Sequence, residues 1–265
     1  MNTVISRDGT SIAYDRAGRG PALVLVGGMF EQRVLDTETA RLATLPSLAE
    51  HFTVYHYDRR GRGQSTDTAP FAVAREVEDV EALIDAAGGS AFLFGISSGA
   101  ALAFEAARAL GGKIKKLALY EPPYNDDPEA RRAWIRFSRD LTEALARDQR
   151  SEAVGLFMKL LGVPDEHIVG MHEYPMWPLW EGIAPTMAYD VAAMGNEAAV
   201  PALRAADVKV PALVLSGGAS YPFMSTTAAA LAAALPHGQH RNLDGQSHEV
   251  DVNVLAPILI EFFEA

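Results

Sequence analysis

The stretch Ser90–Ala101, SAFLFGISSGAA, constrains this chain more than any other. It begins with a short, unbroken apolar run, which is typical of a strand buried on both faces. A turn with two glycines and Ser97 follows, and an alanine-rich run of high helix propensity comes directly after it. Where a strand turns sharply into a helix the backbones nearly touch, and Gly95 and Gly99 leave room for that contact. The turn would lift the Ser97 hydroxyl above the end of a sheet, at a helix N-terminus that favours negative charge.

The bare G-x-S-x-G pattern has two interpretations. It can be an ordinary glycine-rich turn, which a chain with 22 glycines can contain by chance. It can also be a nucleophile elbow, in which the serine attacks a substrate. The strand before the pattern and the helix after it favour the elbow.

Strand and helix patterns alternate along most of the chain. Apolar runs that predict buried strands lie at 22–26, 53–57, 91–94, 114–120 and 212–215, and helical spacing lies between them, at 41–50 with Pro46 interrupting it and at 73–87. Such alternation implies a mostly parallel sheet with helices on both faces. From 124 to 206 the pattern is helical without a strand. We therefore predict a core formed by 1–123 and 207–265, and a helical lid, 124–206, over the carboxyl ends of the strands, where such sheets bind ligands.

The composition argues against several classes of function. A net charge of −11 without a basic cluster disfavours nucleic acid and anionic membranes as partners. The chain has no cysteine, which excludes disulfides, thiol nucleophiles and thiolate metal sites. His167 and His172 lack a third ligand pattern nearby, so we expect no metal and no other cofactor. Without a secretory signal pattern or a bilayer-length apolar run, we expect a cytoplasmic protein, monomeric or homodimeric, that binds a small molecule.

Four short motifs resemble those of a known family. They are Leu25-Val26-Gly27-Gly28, Asp58-Arg59-Arg60-Gly61-Arg62-Gly63-Gln64-Ser65, Gly95-Ile96-Ser97-Ser98-Gly99 and Gly245-Gln246-Ser247-His248. In this order and spacing, the chain resembles the α/β-hydrolase fold superfamily over nearly its whole length. The resemblance implies a three-layer α/β fold with an eight-stranded, mostly parallel sheet and a helical lid. It also implies a serine-histidine-acid triad in that chain order.

In that triad Ser97 would be the nucleophile and His248 the base. An alcohol is a poor nucleophile at neutral pH, so a base must take its proton. His248 follows the last predicted strand in a glycine-containing loop, from which its side chain can point back over the sheet. The alternative is a solvent-facing loop histidine.

The acid departs from the usual pattern of the family. Most relatives have an aspartate after the seventh strand, where this chain has Ser220, and a serine cannot stabilise an imidazolium as a carboxylate does. Some relatives, zearalenone-type lactonases among them, have a glutamate after the sixth strand, where this chain has Glu121. Adjacent strands lie about 5 Å apart, so Glu121 could reach the same histidine. We predict that Glu121 is the acid, and the alternative is a strand-end charge paired with an arginine.

The resemblance also implies an oxyanion hole formed by two backbone donors. Ser98 would supply one, and the Met29 N–H the other, with Gly28 the less favoured choice. The family usually has a histidine where this chain has Gly27.

Apolar side chains in and near the insertion suggest the kind of substrate. They could simply pack the lid onto the core, but a lid also faces the pocket. We predict a pocket lined by Gly28, Trp134, Trp177 and Tyr221 for a substrate with an apolar acyl or ring portion.

The function predicted from these residues is that of a serine hydrolase. It would cleave a small hydrophobic carboxylic ester or lactone through an acyl-enzyme. Two alternatives stay open: hydrolysis of a C–C bond or thioester with similar residues, and non-catalytic binding of a hydrophobic small molecule, for which the missing aspartate would be a sign of decay.

Overall fold

The computed structural model describes residues 2–34 and 38–265, and an eight-stranded sheet forms its core. The strands are β1 (Asn2–Ile5), β2 (Ser11–Gly18), β3 (Ala22–Val26), β4 (Thr53–Tyr57), β5 (Ala91–Ile96), β6 (Ile114–Tyr120), β7 (Ala212–Gly217) and β8 (Gly238–Leu243). Their order across the sheet is β1-β2-β4-β3-β5-β6-β7-β8. β2 is antiparallel to β1 and β4, and the strands β3 to β8 are all parallel to one another. The predicted α/β fold with a mostly parallel eight-stranded sheet is confirmed.

Helices cover both faces of this sheet and fill the predicted insertion. They are α1 (Glu38–Thr44), α2 (Pro46–His51), α3 (Val73–Ala86), α4 (Ser98–Leu110), α5 (Pro128–Ala146), α6 (Arg150–Leu160), α7 (Asp165–Met171), α8 (Trp177–Ile183), α9 (Met187–Met194), α10 (Ala202–Ala205), α11 (Pro222–Ala234) and α12 (Val252–Glu264). The helical stretch predicted at 41–50 falls in two helices, because Pro46 lacks an N–H and is tolerated only in the first turn of a helix, where it begins α2. Helices α5 to α10 lie in the segment 124–206, which is called the cap below.

The side chains of the central strands alternate between two hydrophobic layers. Val24 and Val26 pack with α3, α4 and α11 on one face, together with much of the cap. Leu23 and Leu25 point to the other face and pack with α1, α2 and α12. Three layers result, with the parallel strands buried in the middle. Among the helices of the described residues, none has the length and apolarity needed to cross a membrane.

The elbow between β5 and α4 is as tight as the sequence predicts. Ser97 has a φ of +54° and lies directly before α4. A Cβ at Gly95 would lie 2.6 Å from the Gly99 carbonyl oxygen, and one at Gly99 would lie 2.4 Å from the carbonyl oxygens of Val26 and Gly27. Larger residues would therefore push β3, β5 and α4 apart. The elbow raises Ser97 at the carboxyl ends of the strands.

Candidate active site

Three side chains from distant parts of the chain form a hydrogen-bonded relay at the carboxyl edge of the sheet. Ser97 lies at the elbow after β5, Glu121 directly follows β6, and His248 lies in the loop between β8 and α12. The Nε2 atom of His248 is 3.1 Å from Ser97 Oγ, and its Nδ1 atom is 2.6 Å from Glu121 Oε2. The structure thus brings together the three residues predicted as a triad.

The Glu121 carboxylate is buried and has three donors. Its Oε1 accepts from the Gly217 N–H at 2.7 Å, and its Oε2 accepts from Ser220 Oγ at 2.8 Å as well as contacting His248. Its partners are therefore a backbone amide, a hydroxyl and an imidazole, rather than the arginine of the alternative interpretation. Ser220, at the position where most relatives have aspartate, donates to the glutamate that contacts the histidine. Nothing in the sequence around either residue indicated this contact.

The loop after β3 lies directly against the serine. A Cβ added at Gly28 would be 3.0 Å from Ser97 Cβ and 3.6 Å from Ser97 Oγ. The Gly28 N–H already donates to Glu31 Oε2 at 2.9 Å, whereas within residues 2–34 and 38–265 the Met29 N–H has no acceptor. Ser98 is the first residue of α4, so its N–H has no acceptor inside the helix. Among the described residues, therefore, two backbone donors without an acceptor lie beside Ser97, on the residues predicted for an oxyanion hole.

A cavity of about 1020 Å³ opens above the relay. Its wall is mainly apolar and comes from the core and the cap: Met29, Ile96, Pro123, Ala130, Ala133, Trp134, Phe157, Leu160, Leu161, Met194, Ala198, Ala219, Tyr221, Pro222, Phe223 and Met224. Gly28, Ser97, Ser98 and His248 lie at its floor. The charged residues on the wall are carboxylates: Glu31, Glu38, Glu197 and Glu249. No lysine or arginine lines it in the described chain.

One predicted pocket residue lies elsewhere. Trp134 and Tyr221 line the cavity, as does Gly28, but Trp177 does not. Its side chain is buried inside the cap, where its Nε1 donates to Ser151 Oγ at 2.9 Å and Glu181 Oε1 at 3.1 Å. The structure thus places Trp177 inside the cap and not on the cavity wall where it was predicted, because the indole N–H finds its partners within the cap.

Beneath the cavity, a buried ion-pair network joins the cap to the loops of the core. Asp190 on α9 binds Arg59 and Arg62, which follow β4. Arg62 also donates to the Gly28 carbonyl oxygen at 2.7 Å. Burial opposes the ionisation of Asp190, but the two guanidinium groups outweigh burial and hold the pKa of this carboxyl below its usual value. Arg59 and Arg62 belong to one of the four motifs that carry the family resemblance, but the sequence did not show that Asp190 is their partner.

Glu31 is a half-buried carboxyl beside the site that the sequence did not single out. Its Oε2 accepts from the Gly28 N–H and, at 2.8 Å, from Thr39 Oγ1. Burial raises the pKa of this carboxyl, although both hydrogen bonds and the charge of Arg62 act in the opposite direction. No group of three or more His, Cys, Asp or Glu side chains that could hold a metal ion occurs among the residues that the structure describes.

Comparison with known proteins gives the same fold. The sequence profile of the α/β hydrolase family matches residues 22–257. The chain is 44% identical to an α/β hydrolase from Sphaerobacter thermophilus DSM 20745, with a TM-score of 0.84 over 99% of this chain and 100% of that chain. It is 24% identical to a hydrolase from Pseudomonas aeruginosa PA01, with a TM-score of 0.74 over 100% and 98% of the two chains. It is 20% identical to the enol-lactonase from Burkholderia xenovorans LB400, with a TM-score of 0.68 over 100% of both chains.

Proposed function

The chain belongs to the α/β hydrolase family, and we propose that it is a serine hydrolase that cleaves a small hydrophobic carboxylic ester or lactone through an acyl-enzyme. The observation that carries the proposal is the unbroken relay from Glu121 through His248 to Ser97 at the floor of an apolar cavity. The Glu121 carboxylate lies within hydrogen-bond reach of the His248 ring, and the ring lies within reach of the Ser97 hydroxyl. A nucleophile, a base and a group that orients the base are the three parts that this chemistry needs.

In the acylation step, Ser97 Oγ attacks the carbonyl carbon while His248 Nε2 takes the hydroxyl proton. The carbonyl oxygen becomes an oxyanion that accepts from the Met29 and Ser98 N–H groups. The Glu121 carboxylate fixes the imidazole through Nδ1 and stabilises the imidazolium. When the tetrahedral intermediate collapses, the C–O bond to the leaving alcohol breaks and Nε2 gives its proton to the alcohol oxygen.

In the deacylation step, water takes the place of the serine. His248 Nε2 accepts a proton from water as the water oxygen adds to the acyl carbon. The second tetrahedral intermediate then releases Ser97, whose Oγ takes the proton back from Nε2. An ester yields a carboxylic acid and an alcohol, and a lactone yields a single hydroxy acid.

The cavity wall supports a substrate with an uncharged, apolar acyl or ring portion. Aromatic and methionine side chains make an adaptable apolar surface that suits such a group. The cap supplies Trp134, Phe157 and Met194 to this wall, and we propose that 124–206 acts as a lid over the site. The enol-lactonase with the same fold acts on a lactone, but at 20% identity that likeness concerns the fold alone.

A fluorophosphonate probe and the Ser97→Ala variant test the proposal. The wild-type protein should be labelled by the probe and should hydrolyse members of a panel of acyl esters and lactones. Ser97→Ala should lose both properties and keep its circular dichroism spectrum. A wild-type protein that binds hydrophobic molecules but is not labelled would be a non-catalytic binder, and Ser97→Ala turnover within a few-fold of wild type would exclude Ser97 as the nucleophile.

A further inference from the structure

The turn Gly28–Glu31, which contains the Met29 N–H, is closed by two hydrogen bonds that Glu31 makes to Gly28. The Glu31 N–H donates to the Gly28 carbonyl oxygen at 3.3 Å. The Glu31 carboxylate returns to the start of the turn and accepts from the Gly28 N–H at 2.9 Å, and Thr39 Oγ1 on α1 donates to the same oxygen at 2.8 Å. Glu31 therefore ties both ends of the turn to each other and to a neighbouring helix.

The carboxylate also fills the space beside Gly27. A Cβ at Gly27 would lie 2.7 Å from Glu31 Oε2 and 3.0 Å from Glu31 Cβ. A side chain at position 27 and the observed position of Glu31 are thus mutually exclusive. The family that the chain resembles usually has a histidine at this position, and here a carboxylate from four residues further along occupies the room next to it.

The turn needs such a restraint because its backbone is strained. Phe30 has a φ of +64°, a left-handed backbone conformation that residues other than glycine rarely adopt. Its ring packs against Phe157 and Trp180 of the cap, with ring centroids 5.4 Å and 5.6 Å away. The ring contacts hold the Phe30 side chain and Arg62 holds the Gly28 carbonyl oxygen, but neither engages an N–H group of the turn. The Glu31 carboxylate is the group that engages one of those N–H groups.

We propose that Glu31 is a positioning residue that orients the oxyanion hole. By accepting from Gly28, it withdraws that N–H from the substrate and leaves Met29 as the donor next to Ser97. It acts through the backbone and touches no reacting atom. This role rests on the proposed serine-hydrolase function, because an oxyanion forms only if Ser97 attacks a carbonyl group.

Two substitutions at this position separate hydrogen bonding from charge. Glu31→Gln keeps an oxygen that can accept from Gly28 and Thr39 but has no charge, whereas Glu31→Ala removes the acceptor. We expect Glu31→Ala to lower kcat about 10- to 100-fold, somewhat less than the loss of an oxyanion donor itself, with KM within about threefold of wild type. Glu31→Gln should stay within about threefold of wild type in both constants.

Glu105→Ala is the matched control. Glu105 is a buried glutamate on α4 that binds Arg108 and Arg204 and has no contact with the turn. The substitution should lower the melting temperature, as the loss of any buried, paired carboxylate does, and leave kcat unchanged. A decrease in kcat with Glu105→Ala as large as with Glu31→Ala would overturn the positioning role, and so would equal losses in Glu31→Ala and Glu31→Gln.

Hydrogen exchange at the Gly28 amide gives a readout that does not need activity. In ¹⁵N-labelled protein, this amide should exchange at least tenfold faster in Glu31→Ala than in wild type, Glu31→Gln or Glu105→Ala. An unchanged exchange rate in Glu31→Ala would overturn the proposal. If the wild-type protein shows neither turnover nor labelling, the proposed function fails, and the exchange rates alone then decide whether Glu31 holds the turn.

Discussion

The Glu121 carboxylate lies in a setting that fixes its orientation beside His248. The Gly217 N–H and the Ser220 hydroxyl hold its two oxygens, and the remaining contact goes to the imidazole. A carboxylate held by three hydrogen-bond partners and shielded from water can stabilise a positive charge on the ring without moving.

We therefore expect Glu121→Gln to lower kcat by at least about 100-fold, because an amide cannot stabilise the imidazolium; the loss of this partner in a related triad costs about 10⁴. Ser220→Ala removes one hydrogen bond to the carboxylate and should lower kcat less than about fivefold. Steady-state kinetics on the best ester of the panel measure both. Partial recovery in the double variant Glu121→Gln/Ser220→Asp would support a carboxylate acting from either strand. Glu121→Gln activity near wild type would show that another group orients His248.

His56 belongs to the stability of the fold rather than to the site. It lies in β4 with 5% of its surface exposed, and burial lowers its pKa from 6.5 to about 4, against the opposing charges of Asp58 and Asp15. Below pH 6.5 the unfolded chain binds a proton at this position that the folded chain does not bind until about pH 4. The contribution of His56 to stability is therefore complete at pH 7 and is lost as the pH falls between these values.

Between pH 7 and pH 4.5, protonation of His56 in the unfolded chain should lower the free energy of unfolding of the wild type by about 2 kcal/mol. His56→Leu cannot titrate, so its decrease over the same range should be smaller by that amount. Urea unfolding at pH 7, 5.5 and 4.5 measures the difference between the two proteins. Parallel curves would show that His56 keeps an ordinary pKa in the folded state.

At the scale of elements, buried ion pairs join helix α9 of the cap to the core. Asp190 lies between Arg59 and Arg62, and all three are buried. Arg59 has a second carboxylate partner in Glu76, at 2.7 Å, whereas the carboxylate that pairs with Arg62 is Asp190. Removing one member of a buried ion pair leaves an uncompensated charge in a medium that solvates it poorly.

Asp190→Ala should therefore lower the free energy of unfolding by about 3–5 kcal/mol. The control is Tyr189→Phe, one position earlier on the same helix, which removes a hydrogen bond to the exposed Asp67 but keeps the ring stacked on Phe71. It should change stability by less than about 1 kcal/mol. Urea unfolding gives both values. Similar losses for the two variants would mean that the network does not hold the cap in place.

These elements also show which features of the structure could be predicted from the sequence. Strands and the elbow were predictable because their signals are local: an apolar run, a glycine where backbones touch, and a helix-forming run after it. Glu121 was singled out because relatives with a glutamate after the sixth strand are known and because adjacent strands lie about 5 Å apart, and the structure places its carboxylate beside His248. The partner of Arg62 lies 128 positions away, and Ser220 reaches Glu121 across 99 positions. The sequence around each residue cannot encode such contacts. The burial of Trp177 inside the cap depends likewise on how the cap helices pack against one another, as its hydrogen bond to Ser151 on α6 shows.

At the scale of the whole molecule, the net charge of the protein and the lining of the cavity both favour substrates whose acyl group is not anionic. The net charge of −11 gives the protein a negative field. In the described residues the charged groups on the cavity wall are four carboxylates without a lysine or arginine among them, and most of the remaining wall is apolar. An anionic acyl group would lose its hydration in the cavity and find no cation to replace it.

We therefore expect kcat/KM for an aryl ester of a neutral acyl group to exceed that for the succinyl ester of the same alcohol by at least about tenfold, a difference of about 1.4 kcal/mol. The two acyl groups should be of similar length, so that charge is what differs between them. Raising the salt concentration from 0.05 to 1 M shortens the Debye length to about 3 Å and should narrow the gap without closing it, because screening reduces repulsion between charges but not the cost of dehydration. Measuring both esters at both salt concentrations therefore separates the two causes. Equal kcat/KM values at low salt would contradict an apolar, acid-lined acyl site.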